Sequence, residues 1–362
     1  MTDVAADAGE SRRAGFGRRN AAGRGANALL QQLGLRLVAT EDLSIRRRRR
    51  GKGFSYLDAD GRVIRDSATV HRLARLAVPP AYEDVLYARD PSAHLQAVGR
   101  DAAGRLQYRY HPEWEKVREL RKARRLARLA EVLPRIRRSV GQHLAATEPT
   151  RECACAAVIE LVARSAIRPG SESYARLRGT RGAATLLKSN VTVYGESITL
   201  SFRAKGGKTI VKEFTAPRLA EVIARLRLLP GRRLFQYRAD TGDVRHVTAR
   251  EVNAFLREIA AARISLKDFR TLLASASALE ALALTAPAAK ETQRRKQVLE
   301  AVRAVADDLA NTPAICRKSY VHGSVVAAFE DGVLERFAET LKSCRSVTRR
   351  AQVLAQIIAA AG

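Results

Sequence analysis

Five widely spaced residues, Arg168, Lys205, Arg270, Asn311 and Tyr320, carry the side chains that phosphoryl transfer to a phenol needs. Such a transfer is mostly positioning and charge stabilisation. Two guanidiniums can clamp the non-bridging oxygens as the five-coordinate phosphorus gains charge, and an amide can donate one further hydrogen bond. Tyrosine is a fair nucleophile, because a phenolate forms far more easily than an alkoxide. The departing sugar alkoxide is the harder problem, so a mobile lysine acting as general acid matters most at that step. Each residue alone has a plainer reading: a turn lysine serves solubility, and a tyrosine after a polar loop is commonly a surface residue.

The elements that position these side chains can be read from punctuation and period. A helix over 291–309 stops at Ala310-Asn311, Thr312 is a good N-cap, and Pro313 suits the first position of a new helix. That helix carries Tyr320 about two turns in, so Tyr320 and Asn311 can face one spot. The helix expected over 151–167 is ended sharply by Ile167-Arg168-Pro169-Gly170. Segments 190–193, 197–203 and 209–214 predict a three-stranded antiparallel meander, with Ile198, Leu200 and Phe202 alternating with polar residues. Its second turn, Lys205-Gly206-Gly207-Lys208, puts Lys205 at a hairpin tip. Ser265-Leu-Lys-Asp268 resembles a capping box and starts a helix over 266–284, with Lys267 and Arg270 on one face. Further helices are expected over 118–129, 133–144, 217–228, 248–262, 332–341 and 346–361.

The N-terminal third reads differently. Residues 1–28, rich in Ala, Gly, Arg and Asp without an apolar period, predict a disordered basic arm. Arg46 to Arg50 is followed by Gly51-Lys52-Gly53. Five adjacent guanidiniums repel one another without a polyanion, so this run predicts a phosphate-contacting edge that includes Arg49, Arg50 and Lys52. A hairpin is expected over 54–64 around Asp58–Gly61, a helix over 66–77, and strands over 84–88, 95–100 and 105–110. On the last strand, which begins at Arg105, Tyr108 and Tyr110 share one face while Gln107 and Arg109 share the other. Such a strand can lie in a groove, Gln meeting base edges and Arg holding phosphates. Residues 112–116 form the candidate hinge. The expected fold class is therefore α+β: a β-rich domain over 29–114, then a larger, mostly α-helical catalytic domain over 115–362 that contains the meander.

Composition narrows the partner. The chain has 362 residues, 46% of them hydrophobic, and 65 Lys plus Arg against 37 Asp plus Glu, a net charge of +28. That excess implies a polyanion, nucleic acid rather than an acidic membrane surface. No apolar run is long enough for a membrane span, and the N-terminus has no signal-peptide core. The four cysteines are scattered; Cys153 and Cys155 sit two apart on a helix, make a poor metal pair, and read as small buried residues in a reducing cytosol. No P-loop pattern and no carboxylate cluster suggests a nucleotide or magnesium site, so neither metal nor cofactor is expected.

In combination, six motifs resemble the type IB DNA topoisomerases, in the compact branch shared by poxviruses and bacteria. They are Arg49-Arg-Gly-Lys-Gly-Phe54, Gly99-Arg-Asp-Ala-Ala-Gly-Arg-Leu-Gln-Tyr-Arg-Tyr110, Arg168-Pro-Gly170, Lys205-Gly-Gly-Lys208, Lys267-Asp-Phe-Arg-Thr271, and Thr312-Pro313 through Lys318-Ser-Tyr320. The likeness runs from Arg46 to the C-terminus. It implies that Tyr320 forms a 3′-phosphotyrosyl link and frees a 5′-hydroxyl, that Arg168 and Arg270 are the clamp, and that Lys205, helped by Lys267, protonates the 5′-oxygen. It places Gln107, Tyr108 and Tyr110 against the groove of double-stranded DNA held between two lobes, with Lys208 among the DNA contacts. It further implies relaxation of supercoiled DNA without ATP or metal, by a monomer in the nucleoid-bearing cytoplasm. Asn311 falls where poxvirus members carry a histidine; it keeps one donor but cannot be cationic. Leu272-Leu273 replaces the usual aromatic-Gly pair, and Gly323 stands where bacterial relatives often have proline. His322 is expected to be an ordinary surface or packing histidine. Two other classes compete: a tyrosine recombinase, whose usual His-x-x-Arg is Lys267-x-x-Arg270 here, and a basic DNA-packaging protein without catalysis.

Overall fold

Short strands build the N-terminal third. The computed structural model describes residues 29–344 and 346–360; the basic arm expected over 1–28 lies outside them. The chain divides between residues 120 and 121 into two compact units. The first is a five-stranded antiparallel sheet in the order β2-β1-β3-β4-β5, formed by β1 (Ile45–Arg50), β2 (Gly53–Leu57), β3 (Glu83–Tyr87), β4 (Leu95–Arg100) and β5 (Leu106–Tyr110). Helix α1 (Ser67–Arg75) starts at Asp66, whose carboxylate accepts the Thr69 N–H at 2.8 Å, and its buried Leu73 joins Ile45, Tyr56, Val85, Tyr87 and Ala97 in a core.

One expectation gains detail here and one needs correction. The arginine run, expected as a phosphate-contacting edge, forms strand β1. Arg47 turns inward and donates to the carbonyls of Val78, Pro79 and Tyr82 at 2.9, 3.0 and 2.6 Å, with its guanidinium 4.2 Å from the Phe54 ring centre. Arg46, Arg48, Arg49 and Arg50 stay exposed. The main hairpin is β1–β2 about Gly51-Lys52, where Gly51 takes φ 56°. The turn at Asp58–Gly61 exists, but the carboxylate of Asp58 takes the backbone N–H of Asp60 and Arg62, and the returning chain makes one isolated bridge, Leu57 to Val63.

The second unit is mostly helical. Helix α2 (Trp114–Leu144), whose residues from 121 on belong to this unit, continues through Pro134, where two helices were expected. Proline removes one intrahelical bond, yet Leu126, Leu129, Leu133, Ile136, Val140 and Leu144 continue one buried face across it, so packing overrides the break. Helix α3 (Arg151–Ser165) is buried nearly all round from Cys153 to Val162, which makes it the central helix of this unit. Helix α4 (Glu172–Arg178) follows. Strands β6 (Val191–Tyr194), β7 (Ser197–Arg203) and β8 (Thr209–Thr215) form the expected meander, with Leu200 opposite Lys212. Helix α5 (Pro217–Leu228) has the expected bounds. A hairpin of β9 (Gln236–Arg238) and β10 (Val244–His246) comes next, then α6 (Ala249–Ala260), α7 (Leu266–Ala283), α8 (Glu291–Asp308), α9 (Pro313–Ser319), α10 (Gly323–Glu330), α11 (Ala338–Lys342) and α12 (Val347–Ala360). The helix expected over 332–341 is a 3-10 turn, Val333–Phe337, followed by α11. Helices α4 and α10 and the β9–β10 hairpin had no expectation; all are short, where periodicity is weakest.

All four cysteines are free; Cys153, Cys155 and Cys316 are buried, and burial pushes the Cys155 thiol up to about 12 and that of Cys316 to about 11. Among the described residues no group of His, Cys, Asp or Glu is placed to hold a metal ion, and no helix is long and apolar enough to cross a membrane.

Candidate active site

Three helix ends meet at one buried arginine. Helix α3 closes on Ala166, a left-handed residue at φ 52° whose N–H reaches Val162. Helix α8 closes on Leu309 with Ala310 left-handed at φ 48°; Ala310 N–H bonds to the Asp307 carbonyl and Asn311 N–H to that of Ala306, at 3.0 and 2.9 Å. This paired closure normally takes glycine at the left-handed position. Arg270, in the first turns of α7 and only 2% exposed, donates to the carbonyls of Ala166 and Leu309. Its cation therefore sits at two helix C-termini, the negative ends of their dipoles. Burial pulls Arg270 below the usual arginine value, and the Arg168 charge adds to this while nearby Tyr320 opposes it. The expected helix start holds: Ser265 N–H and hydroxyl donate to one Asp268 oxygen at 2.8 and 2.9 Å.

Arg168 leaves α3 on a loop clasped by the chain opposite. Ala183 N–H donates to the Arg168 carbonyl at 2.8 Å, and Ala184 N–H to that of Pro169 at 2.9 Å. Gly182 makes this possible: a Cβ there would lie 2.5 Å from the Arg168 carbonyl oxygen and from Gly170 N. Gly182→Ala is therefore expected to displace the Arg168 loop. A shift near 1 Å in a group that takes part in a reaction costs on the order of 10²-fold in rate, so a single turnover that uses Arg168 should slow by that order while binding of the polyanion changes little. A quench-flow measurement beside a titration checks this.

Asn311 joins the cluster through its side chain. Arg168 Nη2 donates to Asn311 Oδ1 at 2.5 Å, which leaves the buried Asn311 Nδ2 as a donor with no partner among the described residues. Thr312 caps α9 by accepting the Ile315 N–H at 3.3 Å, and Pro313 takes the first position, as expected. Tyr320 is the residue that ends α9, not one inside it, with φ −120° and ψ −39°. The Arg270 guanidinium lies 5.1 Å from the Tyr320 ring centre. Behind the ring, the fully buried Ser275 donates to the Tyr320 carbonyl at 2.9 Å and accepts the His322 N–H at 3.1 Å. So α7 carries both the arginine and the group that holds the tyrosine backbone. His322 is a buried packing residue; the helix has broken before it, and its Nδ1 caps α10 by accepting the Ser324 N–H at 3.3 Å.

Four of the five predicted residues thus converge. Lys205 does not touch them: it is exposed at the β7–β8 tip beside Gly206 and Gly207, at φ 81° and 77°, and its side chain makes no hydrogen bond or ion pair among the described residues. Lys208 and Lys267 are exposed as well. Sequence reasoning missed Arg181 and Lys212, which line the crevice containing Arg168 and Arg270, and it missed Ser275. Lys212 had a signal, a lysine in an inward-facing strand position; Ser275 and Arg181 had none.

In the N-terminal unit, Arg105 and Gln107 are both engaged by Asp101. Arg105 Nε donates at 2.8 Å and Gln107 Nε2 at 2.9 Å to the same oxygen, and the Arg105 bonds chiefly hold the Asp101 carboxyl well below the usual range. Tyr108 and Tyr110 are exposed and stacked at 6.2 Å, and Tyr110 stacks in turn on Trp114 at 5.8 Å. Arg109 donates to the Ala77 carbonyl at 3.1 Å. Arg49, Arg50 and Lys52 are exposed.

Residues 111–346 match the family model described as eukaryotic DNA topoisomerase I, catalytic core. Residues 53–101 match that of the bacterial DNA topoisomerase IB, N-terminal domain. A DNA topoisomerase 1B of Acanthamoeba polyphaga mimivirus is 28% identical over 300 residues, which cover 79% of this chain and 88% of that protein.

Proposed function

This chain belongs to the type IB DNA topoisomerase family, and on that premise we propose that Tyr320 is its nucleophile, Arg168 and Arg270 its transition-state clamp, Asn311 a donor to the phosphate, and Lys205 its general acid. The enzyme relaxes supercoiled DNA by cutting one strand, holding it as a 3′-phosphotyrosyl ester, and resealing it, without ATP or metal. The observation that supports the residue roles is the meeting of Arg168, Asn311 and Arg270 beside the Tyr320 ring.

In the forward step the Tyr320 oxygen gives its proton to water and bonds to phosphorus, the bond to the 5′-oxygen breaks, and Lys205 passes its proton to that oxygen. Arg168 and Arg270 neutralise the equatorial oxygens as charge builds. The Asn311 amide is fixed by Arg168, so its NH₂ is left to donate. Lys267 assists from the exposed side of α7. The phosphotyrosine keeps the energy of the broken ester, so return attack by the 5′-hydroxyl reseals the strand. Between the two steps the nicked duplex rotates and loses superhelical strain.

The reading extends to the rest of the chain. Residues 29–114 grip duplex DNA, with Arg49, Arg50, Lys52 and Arg105 toward phosphates and Gln107, Tyr108 and Tyr110 toward the groove; Lys208 adds a contact from the hairpin tip. Residues 115–362 carry the chemistry, and 1–28 are a basic arm. The enzyme acts as a monomer associated with the nucleoid. The N-terminal unit weighs against a recombinase, since its matched model is that of a topoisomerase domain.

The test is relaxation of plasmids of either superhelical sign in EDTA without ATP, followed on denaturing gels. The expected result is full relaxation and a covalent protein–DNA adduct. Binding without an adduct is the behaviour of a packaging protein and overturns the reading; resolution of Holliday junctions instead of relaxation points to a recombinase.

A further inference from the structure

Lys212 occupies a place where β8 should carry an apolar side chain. Ile210, Lys212 and Phe214 take the inward register of that strand, and Val211 and Glu213 the outward one. Its cross-strand neighbour, Leu200, is fully buried. The Lys212 side chain is only 17% exposed. An ammonium in such a position is costly unless it is paired and hydrogen-bonded, and it is both. Lys212 Nζ donates to the Ser165 carbonyl at 2.7 Å and to the Asp308 carboxylate at 2.7 Å.

What those two acceptors are attached to gives the contact its meaning. Ser165 is the last residue of α3 and precedes Ala166, whose carbonyl takes Arg270; Arg168 follows on the same loop. Asp308 is the last residue of α8 and precedes Leu309, the second carbonyl on Arg270; Asn311 follows. Lys212 itself belongs to the hairpin whose tip is Lys205. The register pairs Leu200 with Lys212 and Arg203 with Thr209, so the tip begins three residue pairs further on, about 10 Å at strand spacing. One ammonium therefore joins the three elements that carry Arg168, Asn311 and Lys205. Docking of the meander does not depend on it, because Ile198, Leu200, Phe202 and Ile210 are buried in the main core.

Resting on the reading of Lys205 as the acid, we infer that Lys212 is a positioning residue that sets where the Lys205 hairpin stands relative to the Arg168–Asn311–Arg270 cluster. It acts through Lys205 and not on the phosphate.

The experiment uses the full chain and compares Lys212→Met, Asp308→Ala, Lys205→Ala and the double variant Lys205→Ala/Lys212→Met. Single-turnover cleavage is measured on an ordinary duplex and on one with a 5′-bridging sulfur, whose thiolate leaves without a proton. Lys212→Met is expected to slow cleavage of the ordinary duplex by about 10- to 100-fold, the scale of a misplaced catalytic group. Most of that loss should vanish with the sulfur substrate, and adding the change to Lys205→Ala should cost little more. Asp308→Ala, at an exposed side chain, removes one acceptor and should give the same pattern more weakly. Equal slowing on both substrates, with losses that multiply in the double variant, overturns the inference and makes Lys212 a phosphate contact or a purely structural residue. A folded Lys212→Met protein that cleaves normally also overturns it. If Lys205→Ala is itself not rescued by sulfur, the acid assignment fails; the double variant still decides whether Lys212 works through Lys205.

Discussion

Tyr320→Phe protein is expected to bind duplex DNA as the unaltered protein does and to leave a supercoiled plasmid supercoiled. The substitution removes one oxygen and little else. The ring keeps its place, because Ser275 holds the backbone carbonyl and not the phenol, and the cation of Arg270 faces the ring. Duplex affinity comes from the basic surface and should keep its steep salt dependence. Loss of a covalent nucleophile elsewhere costs on the order of 10⁶ in rate, so neither adduct nor relaxation should be detectable over hours. No neighbour can substitute: His322 is buried and turned to its own helix start, and the nearby Cys316 is buried with its thiol pushed up by desolvation. Binding is read by titration at several salt concentrations, and chemistry by denaturing gel and plasmid relaxation. Relaxation by this variant would remove Tyr320 from the mechanism.

How much of this was legible beforehand depends on whether the cause is local. Thr312-Pro313 and Pro217 mark helix starts by chemistry confined to one turn, and both fell where read. The meander followed from strict alternation at Ile198, Leu200 and Phe202. The failures are non-local or break a local rule. Arg47 finds its carbonyls some thirty residues away, and nothing within the arginine run distinguishes it from its neighbours. Pro134 predicts a break that the continuous buried face of α2 overrides. The left-handed caps at Ala166 and Ala310 lack the glycine that would announce them, yet they turn two carbonyls onto Arg270. The site residues were legible as a set of types; the pairing of Arg168 with Asn311 was not, since it joins positions 143 apart. Lys212 was legible in principle, since a charge in an inward strand position has to be answered by something.

Lys205→Ala tests the remaining gap between site and chemistry. The lysine stands apart from the other four groups, exposed on a tip with two left-handed glycines and, among the described residues, no bond to hold its side chain. That is a poor place for a structural lysine and a suitable one for a side chain that meets DNA only when DNA is present. Proton delivery to an alkoxide leaving group is worth about 10²- to 10⁴-fold. Cleavage of an ordinary duplex by Lys205→Ala should slow by that range in a single-turnover assay. A duplex with sulfur in the 5′-bridging position should be cleaved almost as fast by the variant as by the unaltered enzyme, because a thiolate needs no proton. Religation by the free 5′-hydroxyl should slow with cleavage, since the same group must take the proton back. Lys205→Arg keeps the charge but holds its proton too tightly to give it up, so it should behave like alanine in rate while preserving affinity. If the arginine variant is active, Lys205 contributes charge and not a proton, and the acid must be sought at Lys267 on the exposed side of α7.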